Sequence, residues 1–332
     1  MKKRIALIYG GRGCEHDISV LGSKNFKKLL DRDKYELTEV FVDKSGDWYI
    51  IKGGDAYPTF PIRLSGKSGF WRAGGILPCD VAFPLLHGDG GEDGTIQGAL
   101  ITAGIPVAGE GCAVSAMALD KACTKLIAKE CDIPSARHVL LRDISDTSAA
   151  GRICEGQLGY PMFIKPNSLG SSHGASAVYT PDEFDGIYKT AFSLSPDIIA
   201  EELITDKREL EVALLGTRNG YVITPPGEIA ISGTYGYKEK YKMCTKTHVV
   251  ADVPDSICNT LTDYTLRLAK RMGIRLVSRF DYFLSGGKIL LNEINTMPGF
   301  TDSSLYLAML QKAGIPEMRA IEEIIEGAVP CT

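Results

Sequence analysis

The sequence predicts an α/β protein that folds into two or three domains, and three observations carry this prediction. The chain has 332 residues with 44% hydrophobic content, which is enough to bury more than one core. An apolar run at residues 4–9 ends in glycines and is followed by a helical pattern through Leu30, the usual start of an open α/β domain. Residues 276–295 form two apolar and aromatic arms around Ser-Gly-Gly, which predicts a β-hairpin.

Composition argues against several classes of protein. The net charge of −4 gives no basic footprint, so we expect no nucleic-acid partner. No apolar run reaches the length of a membrane span, and the N-terminus leads straight into a strand rather than a signal peptide. We therefore expect a cytoplasmic protein with no membrane partner. Nine cysteines without a C-x-x-C pair predict reduced thiols rather than disulfides or a zinc site.

The glycine turn after the first strand is the first candidate ligand site. A dinucleotide fingerprint would need G-x-G-x-x-G, but after Gly11 and Gly13 the third position is His16. Open α/β domains bind ligands at the carboxyl ends of their strands, so this turn is still expected to face one. Glu15, at the head of the following helix, could hold a substrate ammonium or could simply offset the helix dipole.

The second apolar strand, at residues 80–86, ends in a glycine-rich loop that begins with His87. Small and acidic residues at a strand end favour a ligand-facing loop over a plain connector. A structural role for His87 and a functional one are equally open on this pattern. A helix at residues 95–103 follows, and residues 104–109 close the first domain.

A lysine and a serine-rich loop mark the middle of the chain. A helix from Ala113 carries Lys121, which by itself looks like any solvated helix lysine. Further on, Lys165 closes an apolar strand and a Gly/Ser loop with Ser171 and Ser172 follows. Glycines allow close backbone approach and serine hydroxyls donate hydrogen bonds, as a loop that covers phosphates requires. The alternative is a flexible Gly/Ser hairpin.

A polar, aromatic segment lies between the strand at residues 207–215 and a helix at residues 255–272. Residues 234–241 of this segment are too hydrophilic for a core, and they suit a lid over a site, with Lys240 and Tyr241 turned inward.

The hairpin that follows brings polar side chains to one face. If its turn centres on Gly286, Arg279 lies opposite Glu293, and Asp281 and Asn295 share their face. Two carboxylates and an amide oxygen suit Mg²⁺, whose other positions take water and phosphate oxygens. The alternative is an exposed face with one Arg–Glu pair. The opposite face is predicted to carry Phe280, Tyr282, Leu290 and Ile294.

Taken together, these motifs strongly resemble the D-alanine–D-alanine ligases of the ATP-grasp superfamily. The resemblance rests on Glu15 and residues 87–94, 164–166, 169–172, 239–241, 279–281 and 292–299, in unbroken order from residue 4 to about 312. It implies an ATP-grasp fold of three α/β domains, with ATP between the central and C-terminal ones. Their implied ranges are 1–110, 111–204 and 205–332.

The resemblance assigns a nucleotide and metal site. Asp281 and Glu293 would hold one Mg²⁺, and Glu293 and Asn295 a second, with Mn²⁺ as a possible replacement. Glu201 and the backbone from Glu202 to Ile204 would hold adenine. The remaining implied nucleotide contacts are Lys121 and Lys165 for phosphates, Ser172 in the cover loop, Glu209 for the ribose and Lys240 in the lid.

It also implies a reaction. ATP phosphorylates the carboxylate of a first D-alanine, and the amine of a second D-amino acid displaces phosphate from the acyl phosphate. Arg279 and the Gly299 amide would stabilise the tetrahedral oxyanion. Glu15 would hold the first ammonium and would be tied through Ser171 to Tyr241. His87, Ser304 and Leu305 are implied substrate residues, and relatives are commonly homodimers.

The second substrate is where the resemblance divides. Tyr241 argues against D-lactate, and Leu305 resembles the D-alanine type, because D-serine relatives tend to carry arginine there. Residues 239–241 and 298–301 nevertheless also resemble the D-serine ligases of glycopeptide resistance. D-alanine is the first reading and D-serine the alternative. Asp302, Ser303 and His173 depart from the family pattern.

Two other functions remain open on the same fold. A non-catalytic nucleotide sensor would normally have lost a metal ligand or the arginine, and this chain keeps Arg279, Asp281, Glu293 and Asn295. An ATP-grasp ligase for another carboxylate should lack Glu15 and Tyr241 together.

Overall fold

The computed structural model of the chain describes residues 1–171, 173–230 and 246–329. Its strands form three larger sheets and one three-stranded sheet, with helices packed on them, so the predicted α/β class is confirmed. Within the described residues, no helix is long and apolar enough to cross a membrane. The seven cysteines that lie there and are described are all free thiols.

The first sheet is built around a strand that is buried on both faces, as parallel strands require. This strand, β1, pairs in parallel with β2 and β8, and the sheet order is β4-β3-β2-β1-β8. The ends of β1 and β8 lie side by side, which brings the loops after them together. The elements are β1 (Lys3–Gly10), α1 (His16–Leu29), β2 (Tyr35–Val42), β3 (Trp48–Lys52), β4 (Asp55–Pro58), β5 (Pro61–Leu64), β6 (Lys67–Arg72), β7 (Gly75–Pro78), β8 (Val81–Leu85) and α2 (Thr95–Thr102); β5 to β7 form the small sheet.

The second sheet is antiparallel, in the order β11-β10-β12-β9. Its region contains α3 (Cys112–Leu119), α4 (Lys121–Glu130), β9 (His138–Arg142), α5 (Thr147–Gln157), β10 (Met162–Pro166), β11 (Ser176–Val178), α6 (Pro181–Phe192) and β12 (Asp197–Glu202). The single helix predicted from Ala113 is wrong at Asp120. That residue is extended and its carboxylate accepts the Cys123 amide at 2.8 Å, so it caps a new helix that begins at Lys121.

The third sheet has the order β16-β15-β13-β17-β18, and β14 also pairs with β13. Its region contains β13 (Arg208–Thr217), β14 (Gly220–Ile223), β15 (Gly227–Ala230), β16 (Lys246–His248), α7 (Asp255–Met272), β17 (Val277–Ser285), β18 (Lys288–Asn295), α8 (Leu305–Lys312) and α9 (Glu317–Glu326). The predicted helix at residues 255–272 is confirmed. The proposed lid, including Lys240 and Tyr241, lies outside the described residues.

The predicted register of the β17–β18 hairpin is wrong, although its polar face is right. The turn consists of two residues, Gly286 and Gly287, and further from the turn the pairing is interrupted by a bulge between Asp281 and Tyr282. The turn and the bulge each shift the pairing by one residue from the predicted register. Asp281 therefore lies opposite Glu293, and Arg279 lies opposite Asn295. A shift of two keeps these side chains on one face, because strand side chains alternate with a period of two.

The apolar face of the hairpin changes by one residue for the same reason. Between the turn and the bulge, the pairing is shifted by one residue from the prediction. Leu291 therefore pairs with Tyr282 and is buried on the same face as Phe280. Leu290, predicted to lie there, instead pairs with Phe283 on the side of the polar residues.

The first and third sheets share one hydrophobic core. Phe83 of β8 packs edge-to-face on Phe300 at 5.6 Å between ring centroids, and Phe300 in turn packs against Tyr306 of α8. The loop between β18 and α8 is therefore held against the first sheet by buried aromatic surface.

A buried carboxylate anchors the start of β17. Glu110, 2% exposed, accepts hydrogen bonds from the amides of Arg275 at 3.0 Å, Leu276 at 2.7 Å and Val277 at 2.9 Å.

We expect Glu110→Ala to lower the free energy of unfolding by about 3 kcal/mol, because three buried donors lose their acceptor. Urea unfolding measures the change. Glu155→Ala, at an exposed site on α5, is the control; equal losses in both variants would contradict the anchoring role.

Candidate active site

A cavity of about 390 Å³ lies between the second and third sheets. Its size is typical of a pocket for a small ligand. One wall comes from α4, β10 and β12, and the other from β13, β17 and β18. The residues predicted for the nucleotide and the metal that line it are Lys121, Lys165, Glu201, Glu202, Ile204, Glu209, Asp281 and Glu293.

The polar face of the hairpin forms a network around Arg279. Its guanidinium donates to both oxygens of Asp281 at 2.7 Å and lies 3.3 Å from Glu211. The Asn295 amide also donates to Asp281, at 3.0 Å. Burial opposes the charge on Arg279, but Asp281 and Glu211 raise its pKa further above its ordinary value. Arg279 is therefore a fixed cation beside the predicted metal ligands.

Two lysines on the opposite wall reach across to the third sheet. Lys121 donates to the Leu169 carbonyl at 2.7 Å and lies 3.8 Å from Glu293. Lys165 forms a 2.9 Å ion pair with Glu201 and donates to Asn292, the extra residue of the bulge, at 3.4 Å. The bulge thus turns Asn292 and Glu293 toward the same cavity.

The last two residues of β12, Glu201 and Glu202, turn their side chains to opposite sides of the sheet. Glu201 points into the cavity wall and is 3% exposed. The Glu202 carboxylate turns away from the cavity and forms an ion pair with Arg137 at 2.8 Å. The part of Glu202 that lines the cavity is therefore its backbone. Glu209 lines the same end of the cavity, beside Lys207 at 3.2 Å.

Three loops meet around Glu15. A methyl group added to Gly88, or to Gly170 of the serine loop, would lie 3.0 Å from the Glu15 carboxylate. Glu15 occupies the N-cap position of α1, and its side chain makes no capping hydrogen bond to the helix. Ser171 follows in the left-handed region (φ 59°) and is buried. Ser172 lies outside the described residues.

His87 lies between this cluster and the third sheet. Its Nδ1 is 2.8 Å from the Met297 carbonyl, and the ring is buried. Burial lowers the His87 pKa, against the attraction of Glu15, and Arg279 lowers it further. A neutral ring that donates through Nδ1 to the carbonyl fits these surroundings.

The segment after β18 carries the remaining predicted residues. Ser304 occupies the N-cap position of α8, but its hydroxyl donates to the Gly299 carbonyl and does not cap the helix. Leu305 opens α8, is 8% exposed and packs beside Gly227. Gly299, Ser304 and Leu305 therefore lie in one turn at the end of the hairpin.

Sequence reasoning missed three residues that hold this site. Glu92 accepts the Gly88 amide at 3.0 Å and the Met297 amide at 2.8 Å, and burial raises its pKa to about 7. Asn25 of α1 donates to the Phe300 carbonyl at 3.1 Å. Glu211 is the third. Glu211 and Glu92 had signals, because Glu211 lies in a strand that alternates acidic and aliphatic residues and Glu92 is an acidic residue of the glycine-rich loop.

A ligand-sized cavity between two antiparallel sheets is the arrangement of an ATP-grasp fold, and solved structures with this fold match 98% of the chain. The chain belongs to the D-alanine–D-alanine ligase family. The family model "D-ala D-ala ligase N-terminus" matches residues 4–110, and "D-ala D-ala ligase C-terminus" matches residues 127–326.

Individual relatives resemble the chain over nearly its whole length. The D-alanine–D-alanine ligase of Deinococcus radiodurans is 35% identical over 99% of each chain. The VanG D-Ala:D-Ser ligase of Enterococcus faecalis has a TM-score of 0.89 at 29% identity, covering 98% of this chain and 99% of its own. The D-alanyl-alanine synthetase A of Vibrio cholerae has a TM-score of 0.88 at 29% identity, covering 98% of each.

The buried His87 makes stability depend on pH. Unfolded histidine takes a proton near its ordinary pKa of 6.5, whereas burial lowers the folded pKa. The stability from keeping the ring neutral is complete above pH 6.5 and is lost as the pH falls. We expect wild type to lose more free energy of unfolding than His87→Asn between pH 7.5 and 5.5, by at most about 1.4 kcal/mol per pH unit.

Urea unfolding at a series of pH values, without substrates, measures this difference. Asparagine at position 87 keeps a donor for the Met297 carbonyl but cannot take the proton. His248→Asn, at an exposed position, is the control and should follow wild type. Parallel pH curves for wild type and His87→Asn would rule out a buried neutral histidine.

Proposed function

We propose that this protein is an ATP-dependent D-alanine–D-alanine ligase that makes the dipeptide for peptidoglycan. The γ-phosphoryl group of ATP passes to the carboxylate of one D-alanine. The amine of a second D-alanine then attacks the acyl phosphate and releases phosphate. The observation that carries the proposal is one cavity that joins Lys121 and Lys165 to Asp281 and Glu293, next to Arg279 and the loops around Glu15.

The cavity supplies what phosphoryl transfer needs, namely fixed positive charge and precise positioning. Lys121 and Lys165 provide ammonium groups from one wall for the phosphates. The Glu201 side chain and the backbone to Ile204 are proposed to hold the adenine, and Glu209 the ribose. Ser172, Lys240 and Tyr241 are proposed to close over the phosphates on the strength of the resemblance alone.

The donor set of the hairpin fits Mg²⁺. Asp281, Glu293 and Asn295 offer hard oxygen atoms on neighbouring strands. Nowhere in residues 1–171, 173–230 and 246–329 do three or more His, Cys, Asp or Glu side chains cluster as a metal site. A bound Mg²⁺ or Mn²⁺ would therefore depend on the amide, water and phosphate oxygens as well. When bound, it would neutralise charge on the phosphates.

The acyl end is proposed to lie between the loops of the first sheet and the hairpin. The Glu15 carboxylate suits the ammonium of the first D-alanine. The carboxyl carbon of that D-alanine becomes electrophilic only once it is an acyl phosphate. Arg279, held rigidly by Asp281, and the Gly299 amide would stabilise the oxyanion that forms on attack. His87 is proposed to line this end. A role for Ser171 in linking Glu15 to Tyr241 remains a proposal.

The second substrate is proposed to bind at the start of α8. A carboxylate is stabilised at a helix N-terminus, where Ser304 and Leu305 lie. Leu305 gives this position an apolar wall, which favours D-alanine. D-serine is the alternative, and the structural similarity to the VanG D-Ala:D-Ser ligase favours it.

The oligomeric state and the cellular location of the protein are proposed from the family resemblance. We propose a homodimer in the cytoplasm, where ATP is available. The seven free cysteines among the described residues support a reducing compartment. The sensor reading has less support, because Arg279, Asp281, Glu293 and Asn295 form one connected polar face.

The proposal predicts that D-alanine alone sustains phosphate release. With ATP and Mg²⁺, we expect D-alanyl-D-alanine by mass spectrometry and one phosphate for each dipeptide. Adding D-serine should leave the dipeptide the main product. A preference for D-alanyl-D-serine would instead support the alternative, and the absence of D-alanine-dependent phosphate release would refute both.

Glu293→Gln is the matched test of the site in the same assay. It keeps the shape of the side chain but removes the charge opposite Lys121, so we expect turnover to fall by at least about 100-fold. Glu155→Gln, exposed on α5, should match wild type.

A further inference from the structure

A lysine that the proposed reaction does not use lies directly behind the cavity wall. Lys125 follows Lys121 by one turn of α4, so both side chains leave the same face of the helix. Lys125 is only 1% exposed. Its Nζ lies 3.0 Å from one oxygen of Glu201, and Lys165 lies 2.9 Å from the other oxygen. Glu201 is therefore held between an ammonium behind it and one at the cavity surface.

This arrangement fixes the charge of Glu201. Burial works to raise its pKa, but Lys125 and Lys165 outweigh burial and lower it, so the carboxylate is ionised. Burial lowers the pKa of Lys125, and the attraction of Glu201 opposes that change. A buried charge without a partner is costly, so each of these groups depends on the others.

The arrangement also fixes the orientation of Glu201. The first turn of α4 is anchored, because Asp120 caps it and the Asn167 side chain accepts the Ala122 amide at 3.0 Å. Lys125 therefore projects from a helix that is tied to the loop after β10. A carboxylate with an ammonium group within 3.0 Å of each oxygen has one favoured orientation, because rotation would separate the charges.

We propose that Lys125 is a positioning residue that sets the purine selectivity of the nucleotide site through Glu201. This inference rests on the proposed function in that the base is taken to bind beside Glu201. An ionised carboxylate only accepts hydrogen bonds, so it favours a base edge with an amino group and disfavours one with a carbonyl. Lys125 keeps Glu201 in that state and orientation without touching the nucleotide.

The test is Lys125→Met, which keeps the apolar stem and removes the charge. KM and kcat are measured for ATP and for ITP, whose base carries a carbonyl in place of the amino group, with D-alanine saturating. We expect KM for ATP to rise about 10-fold and the ATP:ITP ratio of kcat/KM to fall about 10-fold. KM for D-alanine should stay within about 2-fold of wild type.

Lys129→Met is the matched control, because Lys129 is exposed one turn further along the same helix. It should leave all of these constants at wild-type values. An ATP:ITP ratio within about 2-fold of wild type in Lys125→Met would overturn the proposal, even if the variant were less stable, since a purely structural role lowers stability without changing base selectivity.

A second comparison covers the case in which Lys125→Met does not fold. The double variant Lys125→Met with Glu201→Gln removes both charges and leaves no unpaired ion from this pair. If Lys125 acts only through Glu201, the double variant should have the same ATP:ITP ratio as Glu201→Gln alone. A further loss of about 10-fold in the double variant would overturn the proposal.

Equilibrium binding of Mg-ATP and Mg-ITP without amino acid separates this inference from the proposed function. Wild type that binds ATP selectively but forms no dipeptide would refute the ligase activity, and Lys125→Met would still test the selectivity. Wild type that forms dipeptide while Lys125→Met keeps full selectivity would refute only the role of Lys125. Wild type that binds no ATP would overturn both.

Discussion

Buried charge in the cleft is held in ion pairs that join α4, β10 and β12 to one another and α4 to the third sheet. Lys121, Lys125 and Lys165 meet the carboxylates of Glu201 and Glu293, which leaves this cluster with one more positive than negative charge. Ammonium groups shielded from water attract the phosphates of a nucleotide strongly, while the carboxylates that also line the cleft call for a cation beside those phosphates. Lys125 and Lys165 tie α4 and β10 to β12 through Glu201, and Lys121 ties α4 to Glu293 of the third sheet. Folding and ligand binding therefore depend on one set of contacts.

The first sheet contributes the other half of the geometry. Glu92 and His87 hold the amide and carbonyl of Met297, and Asn25 holds the carbonyl of Phe300. The turn with Gly299 is therefore fixed on both sides by side chains of α1 and of the loop after β8. An oxyanion site must be rigid before the reaction begins, because donors that move into place lose part of their effect.

The sequence was sufficient for the strands and helices that carry most of the site residues and for the polar face of the hairpin, because both follow from local periodicity. The register of the β17–β18 hairpin could not be predicted, because no residue pattern around Asn292 indicates a bulge. The helix break at Asp120 had a signal, an Asp ahead of a helical run, but the apolar residues before it masked it. The burial of Lys125 could not be predicted from the sequence, because it depends on Glu201, a residue distant in the sequence.

Crystals grown with Mn²⁺ and a non-hydrolysable ATP analogue test the central claim most directly. Anomalous scattering locates the metal without assumptions about its ligands. We predict Mn²⁺ between Asp281 and Glu293, with the phosphates against Lys121 and Lys165. Nucleotide bound elsewhere, or Mn²⁺ away from both carboxylates, would contradict the account of this cleft as the catalytic site.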